Sequence, residues 1–417
     1  MKNARHERAG RTRHTAVELR WATGVSAQSL NTLEAAQALL GEGRISEAVS
    51  ALELLLARSP NAVEAWFALG QAQGMLEQHA AAERAFRKAA GLRPEMHEAH
   101  FNIGLSLAYQ DKLRESVESF LAARKRMPDI PGLEQTLLEV LLQILQDEHY
   151  ADAGIKLALP PLAEAPLVSI IIPTRDRAAM LRDALASVCA QTYGNWEAIV
   201  INDGGEDVSA VLQSLAAQAA QRIRVIRLPQ SRGQAGARKH GVAAARGDII
   251  AFLDDDDLYK PHHLDVLVTG LRGSGAAAGY TRAEAVWEQV LDGERVAVKR
   301  GPASPWYRYS RALLLVRNCM PIDNWAVRRE CFDACGSFDE SLACAEDWDL
   351  LLRLSARVDL RQIAEITTEV RVRDEAVDSV SKRNRLRPMC ELFYRRYPDK
   401  GQELVALARE LYLKSLP

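Results

Sequence analysis

The sequence has 417 residues, enough for two or three units that each bury a core of their own. Its formal net charge of −2 excludes the global basic bias of nucleic-acid-binding proteins. The six cysteines show no paired C-x-x-C spacing, so we expect reduced cytosolic thiols rather than a disulfide framework or a zinc site.

The chain begins with a basic segment, in which the first 20 residues contain six Lys or Arg and two Glu. We expect residues 1–28 to form a flexible, solvated tail; contact with an anionic membrane surface is the alternative. No apolar stretch of spanning length and no secretory segment is recognised in the sequence. We therefore expect a cytoplasmic protein, with the inner membrane surface as an alternative location and at most peripheral membrane contact.

A period of 34 residues runs through the first third of the chain, with two helical stretches in each unit. The recurring positions are Pro60, Pro94 and Pro128; Gly70 and Gly104; and Leu52, Phe86 and Phe120. This period is typical of tetratricopeptide repeats. We predict an all-α superhelix over residues 29–150, with units at 29–62, 63–96 and 97–130 and a capping helix at 133–146.

Stacked repeats of this kind form a concave surface that commonly binds a partner. We expect polar residues such as Gln73 and Asn102 to face that groove and to serve an acceptor or a protein partner. A passive scaffold, or support for a dimer, is the alternative.

A linker at residues 151–166 precedes an alternation of strands and helices. Strands are predicted at 167–172, 197–203, 222–228 and 247–251, and helices at 178–190 and 234–245. This alternation predicts right-handed crossovers and a mostly parallel, Rossmann-like α/β sheet. Neither a G-x-G-x-x-G loop nor a Walker-type phosphate loop is present in the sequence.

Four consecutive aspartates, residues 254–257, follow the fourth predicted strand after Phe252 and Leu253. Carboxylates bunched at the end of a buried strand repel one another and are costly to desolvate. A hard divalent cation such as Mg²⁺ or Mn²⁺ would relieve that repulsion and is commonly shared with substrate phosphates. The carboxyl ends of strands are also where open α/β sheets bind ligands. A solvated acidic loop is the alternative reading.

Several short motifs around this cluster resemble, in order and spacing, those of the family 2 glycosyltransferases. They are VSIIIPTRDR at 168–177, SVCAQTY at 187–193, NDGG at 202–205, ARGD at 245–248, the acidic run at 254–257, GSFDE at 336–340 and EDWDL at 346–350. The resemblance covers residues 167–385 and leaves 386–417 as C-terminal helices. It implies a glycosyltransferase A-type fold and a nucleotide-sugar donor.

The resemblance also implies roles for individual residues on the donor side. It implies a Mg²⁺ or Mn²⁺ ion on Asp256, and a hydrogen bond from a uracil-type base to Asp203. The other residues that it assigns to nucleotide-sugar binding are Pro173, Thr174, Arg175, Arg238, Asp254 and Asp255. For Arg238 an exposed helix charge is the alternative.

Asp347 is the candidate general base, because an acceptor hydroxyl must lose its proton as the new glycosidic bond forms. A favourable acid at a helix N-terminus is the alternative. Glu346 and Trp348 are assigned supporting roles, with a core position as the alternative for Trp348. Family members often carry a His after the base helix, and in this chain Arg373 stands at that position.

These features together predict a metal-dependent, inverting glycosyltransferase of the hexosyl- or N-acetylhexosaminyl-transferase type. The expected donor is UDP-linked, and the expected acceptor is a hydroxyl of a glycan, a lipid-linked saccharide or a protein. A protein partner at the repeats is also expected, and no nucleic acid. The alternatives are a repeat-based scaffold with an inactive transferase-like domain, and a nucleotidyltransferase, which would not need Asp347.

Overall fold

The computed structural model describes most of the chain. The described residues are 31–147, 157, 159–215, 217–291, 294–303, 308–373 and 377–416. The predicted tail at 1–28 and the start of the predicted linker at 151–156 lie outside them. The chain divides into two compact units, Met1–Ile144 and Leu145–Pro417. The finer domain limits stay predictions.

The described part of the first unit is helical. Its helices are α1 (Asn31–Gly41), α2 (Ile45–Arg58), α3 (Val63–Met75), α4 (His79–Leu92), α5 (His97–Tyr109), α6 (Leu113–Arg126) and α7 (Leu133–Leu145). The first six form three consecutive pairs at the predicted repeat units, and α7 occupies the predicted capping position. The prediction of stacked helical repeats is therefore confirmed.

The repeating glycines explain how the paired helices approach each other. A Cβ atom added to Gly70 would lie 2.7 Å from the ring of Phe86, and one added to Gly104 would lie 2.6 Å from the ring of Phe120. Each glycine therefore makes room for the aromatic ring of the second helix of its own repeat. The 34-residue period in the sequence is thus a period of interhelical contact.

The two polar residues expected in the groove are buried instead. Gln73 is 9% exposed and Asn102 is fully buried. The Asn102 side-chain amide donates to the carbonyl of Glu98 one turn earlier, at 2.9 Å. The expectation that these side chains face a partner was wrong, because their positions on α3 and α5 point into the helix stack.

The second unit contains all the described strands. The strands are β1 (Val168–Thr174), β2 (Trp196–Asn202), β3 (Ile223–Arg227), β4 (Ile249–Phe252), β5 (Leu258–Tyr259), β6 (Ala278–Leu291), β7 (Glu294–Pro302), β8 (Trp325–Arg328) and β9 (Leu360–Arg373). The helices are α8 (Ala178–Cys189), α9 (Ser209–Gln213), α10 (Ala217–Ala220), α11 (Gly233–Ala244), α12 (His263–Ser274), α13 (Arg311–Leu314), α14 (Glu330–Cys335), α15 (Glu346–Ser355), α16 (Val377–Arg396) and α17 (Glu403–Ser415).

The strands form one mixed sheet in the order β3-β2-β1-β4-β8-β6-β9-β5, with β7 paired to β6. The four strands predicted from the sequence, β1 to β4, are mutually parallel. Beyond β4 the strand pairs are antiparallel except β6 with β9. The Rossmann-like expectation therefore holds for the first half of the sheet, whose carboxyl edge carries the motifs.

The C-terminal helices brace the helix that carries Asp347. The ring of Phe393 on α16 meets Trp348 edge-on, at 5.0 Å between centroids. The hydroxyl of Tyr397, the residue that follows α16, donates to Asp349 at 2.6 Å. The end of α16 is therefore packed against α15. None of the described helices is both long and apolar enough to span a membrane.

Candidate active site at the carboxyl edge of the sheet

The acidic loop that follows β4 is anchored to the end of β1. The Thr174 hydroxyl donates to Asp255 Oδ2 at 2.7 Å, and Arg177 Nη1 lies 3.3 Å from Asp255 Oδ1. Burial, which outweighs these contacts, raises the pKa of Asp255 to about 6. Thr174 and Asp255 therefore act as a pair that holds the loop to the sheet, since both are buried.

Asp254 is joined to α15, the helix that carries Asp347, through Arg238. Arg238 on α11 is 2% exposed, and its Nη2 lies 2.5 Å from Asp254 Oδ1. The other terminal nitrogen of the same guanidinium, Nη1, is hydrogen-bonded to Glu346 at the start of α15. The alternative of an exposed helix charge at Arg238 is wrong, because the side chain is enclosed by these two carboxylates.

Asp257 turns inward, toward a second buried acid that lies in a 3₁₀ turn, Ile322–Asn324. The Asp323 side chain accepts a hydrogen bond from the backbone N–H of Asp254, at 2.6 Å. Burial, and then the charge of Asp254, raise the pKa of Asp323 to about 7. Burial and the nearby Asp323 also raise the pKa of Asp257. The two acids therefore favour sharing a proton beneath the loop.

The Asp347 carboxylate is fixed on both of its oxygens. Asn318 Nδ2 donates to Asp347 Oδ2 at 2.8 Å, and the backbone N–H of Trp348 donates to Oδ1 at 2.7 Å. Burial and then the neighbouring Glu346 raise the pKa of Asp347 to about 6, against the lowering effect of Arg238. An oriented, partly exposed carboxylate with a raised pKa has the properties of a general base.

Glu346 and Trp348 have clear structural positions. Glu346 is buried and forms an ion pair with Arg238. The Trp348 indole N–H donates to the carbonyl of Leu314 at 2.7 Å, and the ring lies in the core. Trp348 therefore occupies the core position that was its alternative, and it does not form an acceptor platform.

Asp203 lies just after β2 and holds the turn that starts α11. Its two oxygens accept from the Ser231 hydroxyl at 2.6 Å, from Arg232 N at 2.7 Å and from Gly233 N at 3.0 Å. A Cβ at Gly204, whose φ is +74°, would meet the backbone N of Ser231 at 2.7 Å. The turn thus requires glycine, and Asp203 orders the loop at this edge of the sheet.

The remaining predicted donor residues lie at the end of β1. Pro173 is buried within the strand. Arg175 has a side chain that is 58% exposed and lies 3.6 Å from Asp176. Arg175 is therefore the most exposed of the cations predicted for the donor, and it makes no described contact with the acidic loop.

A divalent ion on Asp256 does not fit the side chains as they are arranged. Asp256 Oδ2 lies 3.2 Å from Arg177 Nη1 and 3.0 Å from Arg373 Nη1. Asp254, Asp255 and Asp257 are each engaged by another donor or cation. Among the described residues no group of three or more His, Cys, Asp or Glu side chains is placed to hold a metal ion.

Three residues of this site were missed by sequence reasoning. Asn318 and Asp323 lie between β7 and β8, in a stretch without hydrophobic periodicity. Arg177 is the last residue of the VSIIIPTRDR motif, but the motif gives no sign that it reaches the acidic loop. The available signal for Asp323 was its place two residues after Pro321, in a short polar turn.

Comparison with known proteins identifies both halves of the chain. The family model described as Glycosyl transferase family 2 matches residues 169–336. Two models described as Tetratricopeptide repeat match residues 31–72 and 75–129. The first match covers the strands from β1 to β8 and the acidic loop, while Asp347 and β9 lie beyond its end. The other two matches cover the paired helices.

Several curated relatives match a little under half of this chain. The putative colanic acid biosynthesis glycosyl transferase WcaA of Escherichia coli K12 is 30% identical over 45% of this chain and 66% of its own length. The uncharacterized glycosyltransferase YwdF of Bacillus subtilis is 31% identical over 45% of this chain and 67% of its own length. The O-antigen biosynthesis protein RfbC of Myxococcus xanthus is 32% identical over 48% of this chain.

The chain spans less than two thirds of the length of the Escherichia and Myxococcus relatives. Among solved structures, the mannosyltransferase PcManGT from Pyrobaculum calidifontis, in complex with GDP-Man and Mn²⁺, has a TM-score of 0.48 and 15% identity. That match covers 72% of this chain and 81% of the other. At this TM-score and identity, the likeness supports no statement about the donor or the metal of this chain.

Proposed function

This chain belongs to the family 2 glycosyltransferases, and from that membership we propose that it transfers a sugar from a nucleotide-sugar donor to a hydroxyl acceptor. The observation that carries the proposal is the connection Asp254–Arg238–Glu346, which ends beside the oriented carboxylate of Asp347. Through it, a donor-binding loop and a candidate base are held in one buried network. A non-catalytic domain has no need for that coupling.

We assign the general base to Asp347. The acceptor hydroxyl attacks the anomeric carbon from the face opposite the leaving diphosphate, and its proton passes to Asp347 as the bond forms. Asn318 and the Trp348 N–H orient the carboxylate for this transfer. A single displacement assisted by a base inverts the anomeric configuration, so we propose an inverting enzyme.

We assign the donor to the carboxyl edge of β1, β2 and β4. The residues proposed there are Pro173, Thr174, Arg175, Asp203, Asp254 and Asp255. Their positions at the ends of neighbouring parallel strands agree with where open α/β sheets bind nucleotides. Asp203 orders the loop ahead of α11. For the nucleotide part of the donor we propose UDP.

The acceptor is proposed to be a hydroxyl of a glycan, a lipid-linked saccharide or a protein. Two relatives are named for colanic acid and O-antigen biosynthesis, which favours a saccharide among these acceptors. The repeats are proposed to bind the acceptor or a protein partner, in line with the general use of such stacks.

The test is a panel of nucleotide-sugars assayed for hydrolysis and for transfer to saccharide acceptors. Asp347→Asn should keep donor affinity and lose transfer by about 10² to 10⁴-fold. Asp333→Asn, an exposed acid on α14, is the matched control and should behave as wild type. Full transfer by Asp347→Asn would remove Asp347 from the mechanism. Nucleotide binding without any turnover would favour the inactive-scaffold alternative.

A further inference from the structure

Strand β9 brings Arg373 against the acidic loop. The β5–β9 ladder pairs Leu258 with Glu369 and Tyr259 with Thr368 in antiparallel register. Continuing along this direction, the backbone N–H of Arg371 donates to Asp257 Oδ1 at 2.7 Å. Two residues later, Arg373 Nη1 lies 3.0 Å from Asp256 Oδ2, and Arg373 Nη2 lies 3.0 Å from the Asp256 carbonyl oxygen. The register of the sheet therefore fixes this arginine on Asp256.

A second guanidinium reaches the same carboxylate oxygen from the other side. Arg177, just before α8, places Nη1 3.2 Å from Asp256 Oδ2 and 3.3 Å from Asp255 Oδ1. Asp256 Oδ2 is thus contacted by two arginines, one that follows β1 and one at the end of β9. Two guanidinium groups supply the same total charge as one divalent cation.

Arg373 is supported from behind by a buried acid. Glu288 on β6 is ion-paired with Arg371, and its Oε2 lies 3.5 Å from Arg373 Nε. Glu288 is buried, so its charge is compensated mainly by these arginines. The Arg373 side chain is consequently held in one direction and does not depend on a bound ligand for its position.

Both guanidinium groups remain accessible to a ligand. The side chain of Arg177 is 35% exposed, that of Arg373 is 22% exposed and that of Asp256 is 27% exposed. A guanidinium carries five N–H donors in a planar fork that matches phosphate oxygens. The contacts described for Arg373 leave part of that fork for an anion arriving from solvent.

We propose that Arg373 and Arg177 take the place of a divalent cation in this protein and bind the diphosphate of the donor directly. The inference rests on the proposed function and specifies the cation requirement of the same site. Fixed positive charge beside the leaving diphosphate stabilises the charge that grows on it as the sugar is transferred. Nucleotide binding and transfer then proceed in the presence of a chelator.

The experiment is calorimetric titration of the full chain with UDP, and then with GDP, in EDTA and in Mn²⁺. We expect the affinity for the bound nucleotide to agree within about threefold between the two buffers, a difference below 1 kcal/mol. Titration with Mn²⁺ alone should give no binding that depends on Asp256. Wild-type affinity that appears only with Mn²⁺, or Mn²⁺ binding that Asp256→Ala abolishes, would overturn the inference.

Two variants test the arginines themselves. Arg373→Ala and Arg177→Ala should each weaken nucleotide binding in EDTA by about 10- to 100-fold, because each loses a charge-assisted contact to phosphate. Arg373→Lys, which keeps the charge but not the fork, should fall between Arg373→Ala and wild type. Arg300→Ala is the matched control, because Arg300 joins Glu284 and Glu369 and makes no described contact with the loop.

The outcomes separate the inference from the proposed function. Binding of neither nucleotide in either buffer, together with no hydrolysis across the sugar-nucleotide panel, would overturn the proposed function and the inference with it. Nucleotide binding that requires Mn²⁺ would overturn the inference alone. Unchanged binding by both alanine variants, folded as judged by circular dichroism, would also overturn it.

Discussion

Arg238 and Glu346 form a buried ion pair that joins α11 to the helix carrying Asp347. The same guanidinium lies 2.5 Å from Asp254, so one side chain connects the acidic loop with α15. The Asp254 and Glu346 charges raise the pKa of Arg238 even though burial lowers it. A cation enclosed in this way holds two candidate functional elements at a fixed distance.

Arg238→Met should destabilise the protein severely. It would leave Glu346 as an uncompensated buried charge and the partly exposed Asp254 without its ion pair, at a cost of about 3–5 kcal/mol. Urea unfolding measures this loss. Lys239→Met is the matched control on the same helix: Lys239 is paired with Glu340 at 2.8 Å on the surface, and its loss should cost less than about 1 kcal/mol. Equal losses for both variants would contradict the bridging role.

The pH dependence of transfer should report Asp347. Burial raises its pKa to about 6, and a base must be deprotonated to act. The rate of transfer at saturating donor should therefore increase with pH through about 6 and level off above it. Asp347→Asn should remove this acidic limb, the part of the pH–rate profile in which the rate rises. A profile that is flat from pH 5 to 7 would show that a different group, or none, accepts the proton.

Asn318→Ala should shift the same limb toward higher pH. The Asn318 amide donates to the charged form of Asp347, so its removal raises the pKa of the carboxyl group further. We also expect transfer to fall about tenfold, the equivalent of one hydrogen bond, while donor affinity stays constant. Asn195→Ala, whose amide donates to the carbonyl of Ala165, is the control. A lower rate with an unshifted limb would mean that Asn318 acts only on structure.

The parallel strands and the helical repeats were predictable because their signals are local. A β-branched run such as residues 168–172, or a 34-residue period, specifies an element without knowledge of the rest of the chain. The family motifs lie at the carboxyl ends of those strands. The position of the candidate site at this edge of the sheet could therefore be predicted from the same pattern. The repeating glycines were visible in the sequence, although their contact with Phe86 and Phe120 was not.

The partners of the site residues were not predictable, because they come from distant segments. Asn318 reaches Asp347 across 29 positions, Asp323 reaches Asp254 across 69, and Arg373 reaches Asp256 across 117. Such pairs depend on how β8, β6, β9 and β5 are ordered, which hydrophobic alternation does not encode. Sequence reasoning found the acids and assigned them a metal, whereas the cations that compensate them lie apart in the sequence, with Arg177 just before α8, Arg238 on α11 and Arg373 at the end of β9.

Asp323→Asn should make stability less dependent on pH. Burial raises the pKa of Asp323 to about 7 in the folded state, above the value of about 4 for an unfolded aspartate. The folded state then binds the extra proton, so its stabilising contribution is full below pH 4 and is lost as pH rises to 7. Asparagine imitates the protonated form and can still accept from Asp254 N.

Urea unfolding at pH 5 and pH 8 measures this effect. The wild type should lose more stability between the two values than Asp323→Asn does, and the variant should be the more stable at pH 8. Asp333→Asn, on the exposed side of α14, should follow the wild type. If Asp323→Asn were less stable than wild type at both values, the carboxylate would have to be ionised and stabilising in the folded protein.

Gly104→Ala should destabilise the repeats through a single methyl group. A Cβ at this position would lie 2.6 Å from Phe120, a buried ring that is packed on Phe101 at 5.5 Å between centroids. Overpacking of this kind costs about 1–3 kcal/mol. Gly91→Ala is the control, because Gly91 is helical and a Cβ there meets nothing within 4 Å. It should stabilise α4 by roughly 0.5–1 kcal/mol, since alanine loses less conformational freedom in a helix. The unfolding temperature of the full chain should therefore fall for Gly104→Ala and rise for Gly91→Ala. A higher unfolding temperature for Gly104→Ala would show that the helices of the third repeat are farther apart than the contact between Gly104 and Phe120 requires.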